Sequence, residues 1–177
     1  MLVSRSQGIG RSWDMGKHEL QDQLTGVNYL KSLPYVDASR IGIWGWSYGG
    51  YMTLYSVTHA PKVFKCAVAG APVTDWHYYD TIYTERYMRT PQENPEGYDE
   101  SSDVKAASRL RSKLLLIHGT ADNNVHLQNT INFIQALIDA RIPYDLYLQP
   151  AESHGFVGNA AVFYTNMTVF AFFNHNL

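Results

Sequence analysis

Apolar positions along this chain change period several times, and each change marks an element. Leu20, Leu24, Val27, Leu30 and Leu33 recur at three- and four-residue intervals, which predicts an amphipathic helix over 19–33 that stops at Pro34. Ile41-Gly42-Ile43-Trp44 is a run of β-branched and aromatic residues and reads as a short buried strand. A glycine-rich turn follows, then a helix from Gly50 to about His59 that ends before Pro61. Residues 65–70 form a second apolar strand broken by Ala71-Pro72, and 113–118 a third ending at Gly119. Between them, 78–88 reads as a helix with Tyr79, Tyr83 and Tyr87 along one face. The two prolines and several acids of 90–102 predict a surface excursion. A helix over 125–140 turns Val125, Ile131, Ile134, Leu137 and Ile138 inward, 144–149 alternates as a strand up to Pro150, and 160–174 is an aromatic-rich helix.

Strands alternating with helices imply a parallel sheet, right-handed crossovers and helices on both faces, a doubly wound α/β fold. Residues 2–10 have no period and read as a strand end followed by a loop, as though the chain continued something longer. The sheet is therefore expected to be incomplete on its amino-terminal side. In such sheets chemistry collects at the carboxyl ends of the strands.

Composition narrows the classes. With 177 residues, 45% hydrophobic and 17% charged, the chain suits one globular domain rather than a disordered segment. A net charge of −2 offers no basic footprint for nucleic acid. No apolar run reaches the ~18 residues of a membrane span. The single Cys66 can make no internal disulfide and reads as a small buried residue. Thirteen tyrosines and four tryptophans ask for an aromatic-lined pocket or interface.

The candidate chemistry centres on Gly45-Trp46-Ser47-Tyr48-Gly49. Placed between a strand and a helix, this quintet has the form of a nucleophile elbow, which lifts Ser47 clear of its neighbours, with Gly45 and Gly49 leaving room. The helix that starts there aims unpaired N–H groups, Tyr48 first, at the oxyanion formed when a carbonyl is attacked. A serine needs an imidazole base and a carboxylate to orient it, in the chain order Ser, Asp, His. Of seven histidines, only His154 follows the last strand in a loop. Asp122, just after the third strand, is the candidate acid, with Asp75 and Asp80 as rivals. A metal held by His118, His126 and His154 matches no ligand spacing, and no metal or other cofactor is expected.

With these residues in place, the chain resembles the catalytic domain of dipeptidyl peptidase IV-like serine peptidases of the prolyl oligopeptidase clan. The likeness covers nearly the whole chain and is carried by Gly45-Trp46-Ser47-Tyr48-Gly49-Gly50, by Tyr78-Tyr79-Asp80-Thr81-Ile82-Tyr83-Thr84-Glu85-Arg86-Tyr87-Met88, by His118-Gly119-Thr120-Ala121-Asp122 and by His154-Gly155. The resemblance implies an α/β-hydrolase fold, with residues 1–177 as the carboxy-terminal part of the peptidase domain. It implies release of X-Pro or X-Ala dipeptides from peptide amino termini through an acyl-enzyme, with peptides as partners. The matching pocket is Tyr48, Val73, Trp76, Tyr79, Tyr83 and Val125, with Asn124 holding a substrate carbonyl. Aromatic walls suit a proline ring, which offers apolar faces and no N–H; the other reading of Tyr79 and Tyr83 is a core stripe. Periplasmic or extracellular placement and a homodimer through the last helix and strand are implied too. The face of Val162, Phe163, Met167, Phe170 and Phe173 would either serve that pairing or pack on the chain's own sheet.

Three departures stand out. Val3-Ser4-Arg5-Ser6 occupies the place of the family's Asp-x-Arg-Gly, Asn123 replaces a second acid of some relatives, and the tail 174–177 has no cysteine to pair with Cys66. Relatives also carry a β-propeller and an upstream oxyanion tyrosine, so the chain by itself is expected to be weakly active or inactive on dipeptide substrates. The alternatives are an acylaminoacyl peptidase or esterase of the same fold, or a non-catalytic association module.

Overall fold

A computed structural model describes residues 13–177; the strand end expected over 2–10, with Val3-Ser4-Arg5-Ser6, lies outside the described residues. Helix α1 (Lys17–Ser32) precedes strand β1 (Gly42–Trp46), helix α2 (Tyr48–His59) and strand β2 (Cys66–Gly70). A 3₁₀ turn (Trp76–Tyr78) and helices α3 (Thr81–Met88), α4 (Pro95–Glu100) and α5 (Asp103–Ala106) lead to β3 (Lys113–Gly119), α6 (Gln128–Asp139), β4 (Asp145–Gln149) and α7 (Asn159–Asn176). The four strands form one parallel sheet in chain order, with Trp46 opposite Gly70 and Gly119 opposite Gln149. Their carboxyl ends, each followed by a turn, therefore lie along one edge.

Side chains alternate across a strand, and here the alternation divides the core. Ala67, Ala69, Leu114 and Leu116 face Val27 of α1, Leu54 and Val57 of α2, and Phe133 and Leu137 of α6. Cys66, Val68, Leu115 and Ile117 face Val169, Phe172 and Phe173 of α7. Covered on both faces, β2 is buried throughout, which is why it reads as an unbroken apolar run. Burial pushes the Cys66 thiol up in its titration, in keeping with a packing role.

Several elements differ from expectation. β1 is an edge strand among the described residues, and Trp44 is 44% exposed rather than buried. The helix expected over 78–88 is two elements, because Asp80 accepts the Tyr83 N–H and starts α3 afresh. Residues 90–102 are a surface excursion only in part: Gln92, Glu93, Pro95, Glu96, Asp99 and Glu100 are exposed, while Gly97, Tyr98, Ser101 and Ser102 are buried. Asn94 caps α4, its amide bonds the Trp13 and Met88 carbonyls, and Tyr98 is 1% exposed with its hydroxyl on the Arg89 carbonyl. Helix α6 starts at Gln128, not Val125, because 122–127 is spent in turns; the buried residues are Asn129, Thr130, Phe133, Ile134 and Leu137, while Ile131 and Ile138 face out. In α1 only Val27 is buried, and Leu30 lies at the surface. On α7, Phe173 packs on the sheet, whereas Val162, Phe163, Met167 and Phe170 are exposed.

Candidate active site

The site is built on the turn from β1 to α2. Ser47 sits there with φ 60° and ψ −119°, a left-handed conformation that costs a non-glycine residue about 1–3 kcal/mol and persists only when its surroundings enforce it. The enforcement is visible: Ser47 N–H donates to the Gly70 carbonyl at 2.8 Å, and its own carbonyl receives Tyr51 N–H at 3.0 Å. Two glycines make the turn possible. A Cβ on Gly45 would lie 2.2 Å from the Gly49 oxygen, and one on Gly50 would lie 2.5 Å from the Gly70 oxygen. A Cβ on Gly49 would meet nothing within 4 Å, so the second tight position is Gly50 and not, as the quintet suggests, Gly49.

The structure brings Ser47, His154 and Asp122 together from three separate turns. His154 Nε2 is 2.8 Å from Ser47 Oγ, and Nδ1 is 2.8 Å from Asp122 Oδ2. A carboxylate only accepts, so Nδ1 carries the proton and Nε2 is left bare towards the serine hydroxyl. The Asp122 side chain is fully buried, and its other oxygen accepts the Asn124 and Val125 N–H groups, each at 3.0 Å. Such an arrangement can take a proton from Ser47 and stabilise the resulting imidazolium. The rival acids are occupied elsewhere. Asp75 bonds His77 and Ser102, and Asp80 caps α3. Among the described residues no group of His, Cys, Asp or Glu side chains is arranged to hold a metal ion.

Next to the serine lies an aromatic shelf. Val73, Trp76 and Val125 are buried beneath it, and Tyr48, Tyr79 and Tyr83 are partly open in the same cluster. Trp76 stacks on Tyr83 at 5.9 Å, and Tyr79 meets Tyr83 edge-on at 5.4 Å. The Tyr79 hydroxyl donates to Asn124 Oδ1 at 2.8 Å, which leaves the Asn124 amide N–H₂ as a donor for a ligand carbonyl. Burial pushes the Tyr83 phenol up to about 12. It raises Tyr48 further, helped by the Glu19 carboxylate that receives the Tyr48 hydroxyl at 2.6 Å. The shelf is therefore uncharged at neutral pH. Tyr48, as the first residue of α2, has no carbonyl one turn back for its N–H.

Three supports escape the sequence. The Trp46 indole donates to the His154 carbonyl at 2.7 Å and its ring packs edge-on against Phe156, tying the elbow to the histidine loop. Ala121 N–H donates to the Glu152 carbonyl at 3.0 Å, joining the acid's turn to the same loop. His118 lies buried against Asp122. Only the first had a signal, a tryptophan inside the quintet, and its partner is 108 residues away. A cleft of about 470 Å³ between α1, α2 and residues 99–109 contains none of Ser47, Asp122 and His154, so size alone does not mark the chemistry.

Known proteins resemble this chain in sequence and in fold. A probable dipeptidyl-aminopeptidase B of Sordaria macrospora is 45% identical over 157 residues, 87% of this chain and 17% of that protein. The protein of the same name in Fusarium vanettenii is 48% identical over 143 residues, covering 79% and 16%. The crystal structure of Porphyromonas gingivalis dipeptidyl peptidase 4 superposes with a TM-score of 0.90 at 46% identity, over 93% of this chain and 24% of that one. The chain thus spans about a sixth of the length of its fungal relatives. The prolyl oligopeptidase family matches residues 6–177, a stretch that holds the elbow, the relay and the aromatic shelf, and the chain belongs to that family.

Proposed function

We propose that this chain carries the catalytic relay of a serine dipeptidyl peptidase that releases X-Pro or X-Ala dipeptides from peptide amino termini. The observation that carries the reading is the continuous hydrogen-bonded path from Ser47 through His154 to Asp122, set beside an uncharged aromatic shelf. The names of the relatives support the reaction, and the shelf supports a flat apolar side chain next to the scissile bond.

In the proposed reaction His154 Nε2 takes the Ser47 hydroxyl proton as Oγ attacks the peptide carbonyl. The developing oxyanion receives the Tyr48 N–H at the positive end of α2, and Asp122 stabilises the imidazolium. His154 then gives its proton to the departing amine, leaving an acyl-enzyme on Ser47. His154 takes a proton from a water molecule as the water oxygen attacks the acyl carbon; the bond to Ser47 Oγ then breaks, His154 returns the proton to Oγ, and the dipeptide leaves. Val73, Trp76, Tyr79, Tyr83 and Val125 receive the Pro or Ala side chain, and Asn124 donates to a substrate carbonyl.

Intact-mass analysis after incubation with a fluorophosphonate tests the nucleophile on this chain. One adduct is expected, absent from Ser47→Ala; an adduct retained by the variant overturns the assignment. On the full-length protein, a panel of Gly-Pro, acetyl-amino-acid and short-chain ester substrates tests the specificity. Preference for Gly-Pro is expected, and preference for the acetylated substrate or the ester points to an acylaminoacyl peptidase or esterase instead.

A further inference from the structure

The imidazole of His118 takes no part in the path from Ser47 to Asp122, yet it is completely buried against that carboxylate. Its Nε2 lies 2.8 Å from the Val125 carbonyl oxygen and 3.4 Å from Asp122 Oδ2, and its Nδ1 lies 2.8 Å from Thr130 Oγ1. A carbonyl oxygen only accepts, so Nε2 bears the proton. Burial favours the neutral ring over the opposing pull of the Val125 carbonyl and Asp122. Nδ1 is then bare, and the Thr130 hydroxyl donates to it. Both nitrogens are fixed.

What the ring holds is the turn 122–125. Val125 gives its N–H to Asp122 Oδ1 and its carbonyl to His118. Asn124 gives its N–H to the same carboxylate oxygen and receives the Tyr79 hydroxyl on its side chain. One short turn therefore carries the acid of the relay, an amide beside the shelf and a residue of the shelf floor. His118, at the end of β3, ties that turn to the sheet. The titratable groups facing the ring are Asp122 and His154. Tyr79 lies within electrostatic reach of Asp122, and Glu152, on the loop of His154, is engaged by the Val157 N–H.

We propose that His118 is a positioning residue: its neutral Nε2–H holds the Val125 carbonyl, and through it sets Asp122 against His154 and Val125 beneath the shelf. The inference rests on Ser47, His154 and Asp122 being the relay. Substituting His118 by Leu removes the donor, while His118→Gln returns an N–H near the Nε2 position.

Two measurements on the 177-residue chain decide it. The ¹⁵N spectrum of labelled histidine is expected to show His118 as the neutral Nε2–H tautomer at about pH 8, above the ordinary imidazole titration; an Nδ1–H tautomer there overturns the proposal without any variant. In the second, H118L is expected to react with the fluorophosphonate at Ser47 about 10-fold more slowly and to lose the low-field proton signal of the His154–Asp122 hydrogen bond, with both restored in H118Q. A folded H118L that keeps the wild-type signal and rate, or an H118Q as impaired as H118L, reduces the ring to packing and overturns the proposal. If H118L does not fold, the tautomer result stands alone as the test. Absence of any adduct on the wild-type chain counts against Ser47 as nucleophile, and leaves the tautomer and the His154–Asp122 signal readable.

Discussion

Two residues carry unusual backbone or charge for a reason that can be measured. Ser47 holds a positive φ because the turn that exposes its hydroxyl allows no other path between β1 and α2. Asp103 is the opposite case: fully buried at the start of α5, with neither carboxylate oxygen hydrogen-bonded among the described residues. Burial, reinforced by the nearby Asp75 carboxylate, holds its titration well above the ordinary 3.8. Below that value both folded and unfolded chains are protonated there, so the group is neutral to stability. Above it the unfolded chain gains by ionising while the folded one does not, and stability falls as pH rises. Asp103→Asn removes the ionisation and is expected to stabilise the chain at pH 7. Urea unfolding at pH 4 and pH 7 checks it: the gain should be larger at pH 7, and an equal or smaller gain there contradicts the account.

At the scale of elements, the tyrosine-rich block shows how a cap decides what a periodic pattern means. Tyr79, Tyr83 and Tyr87 are spaced as one helical stripe, but Asp80 breaks the run and starts α3. Tyr79 consequently sits before the helix, where its hydroxyl reaches Asn124. Asp80→Ala is expected to cost about 1 kcal/mol of stability, the usual loss of an N-cap. It should also weaken substrate binding in the full-length protein more than turnover, because Tyr83 loses its anchor while the relay is untouched. A KM that stays at the wild-type value while kcat falls would speak against this division. The segment 90–102 teaches the same lesson. Its acids and Pro95 lie at the surface, as their pattern suggests, yet Asn94 and Tyr98 bond backbone carbonyls beneath the block, contacts that no local pattern announces.

For the whole molecule, the sheet positions the site by bringing three strand ends to one edge. The Trp46, Ala121 and His118 bonds then lock the turns to one another. The same view leaves a question on the outer side of α7. Phe170 is 62% and Phe163 59% exposed, because the helix spends Phe172 and Phe173 on the sheet and turns its remaining aromatics outward. The homodimer implied by the resemblance would cover that face. Sedimentation of wild type and Phe170→Glu is the check. A dimer that becomes a monomer in the variant is the expected outcome, and an unchanged mass in both leaves the face without a role in association.

Sequence alone determined the alternation of strands and helices, the elbow around Ser47 and the order Ser47, Asp122, His154, because each rests on local spacing and on glycine, proline and strand-end positions. The resemblance carried the composition of the shelf and the family. Tertiary structure decided the rest. It chose Gly50 over Gly49 as the crowded glycine, rotated Ile131 and Ile138 outward, anchored 90–102 through Asn94 and Tyr98, and placed His118 behind the carboxylate. The physical reason is common to all four. Each depends on contacts between residues distant in the chain or on the phase at which a helix begins, and neither quantity is written in the period of apolar residues.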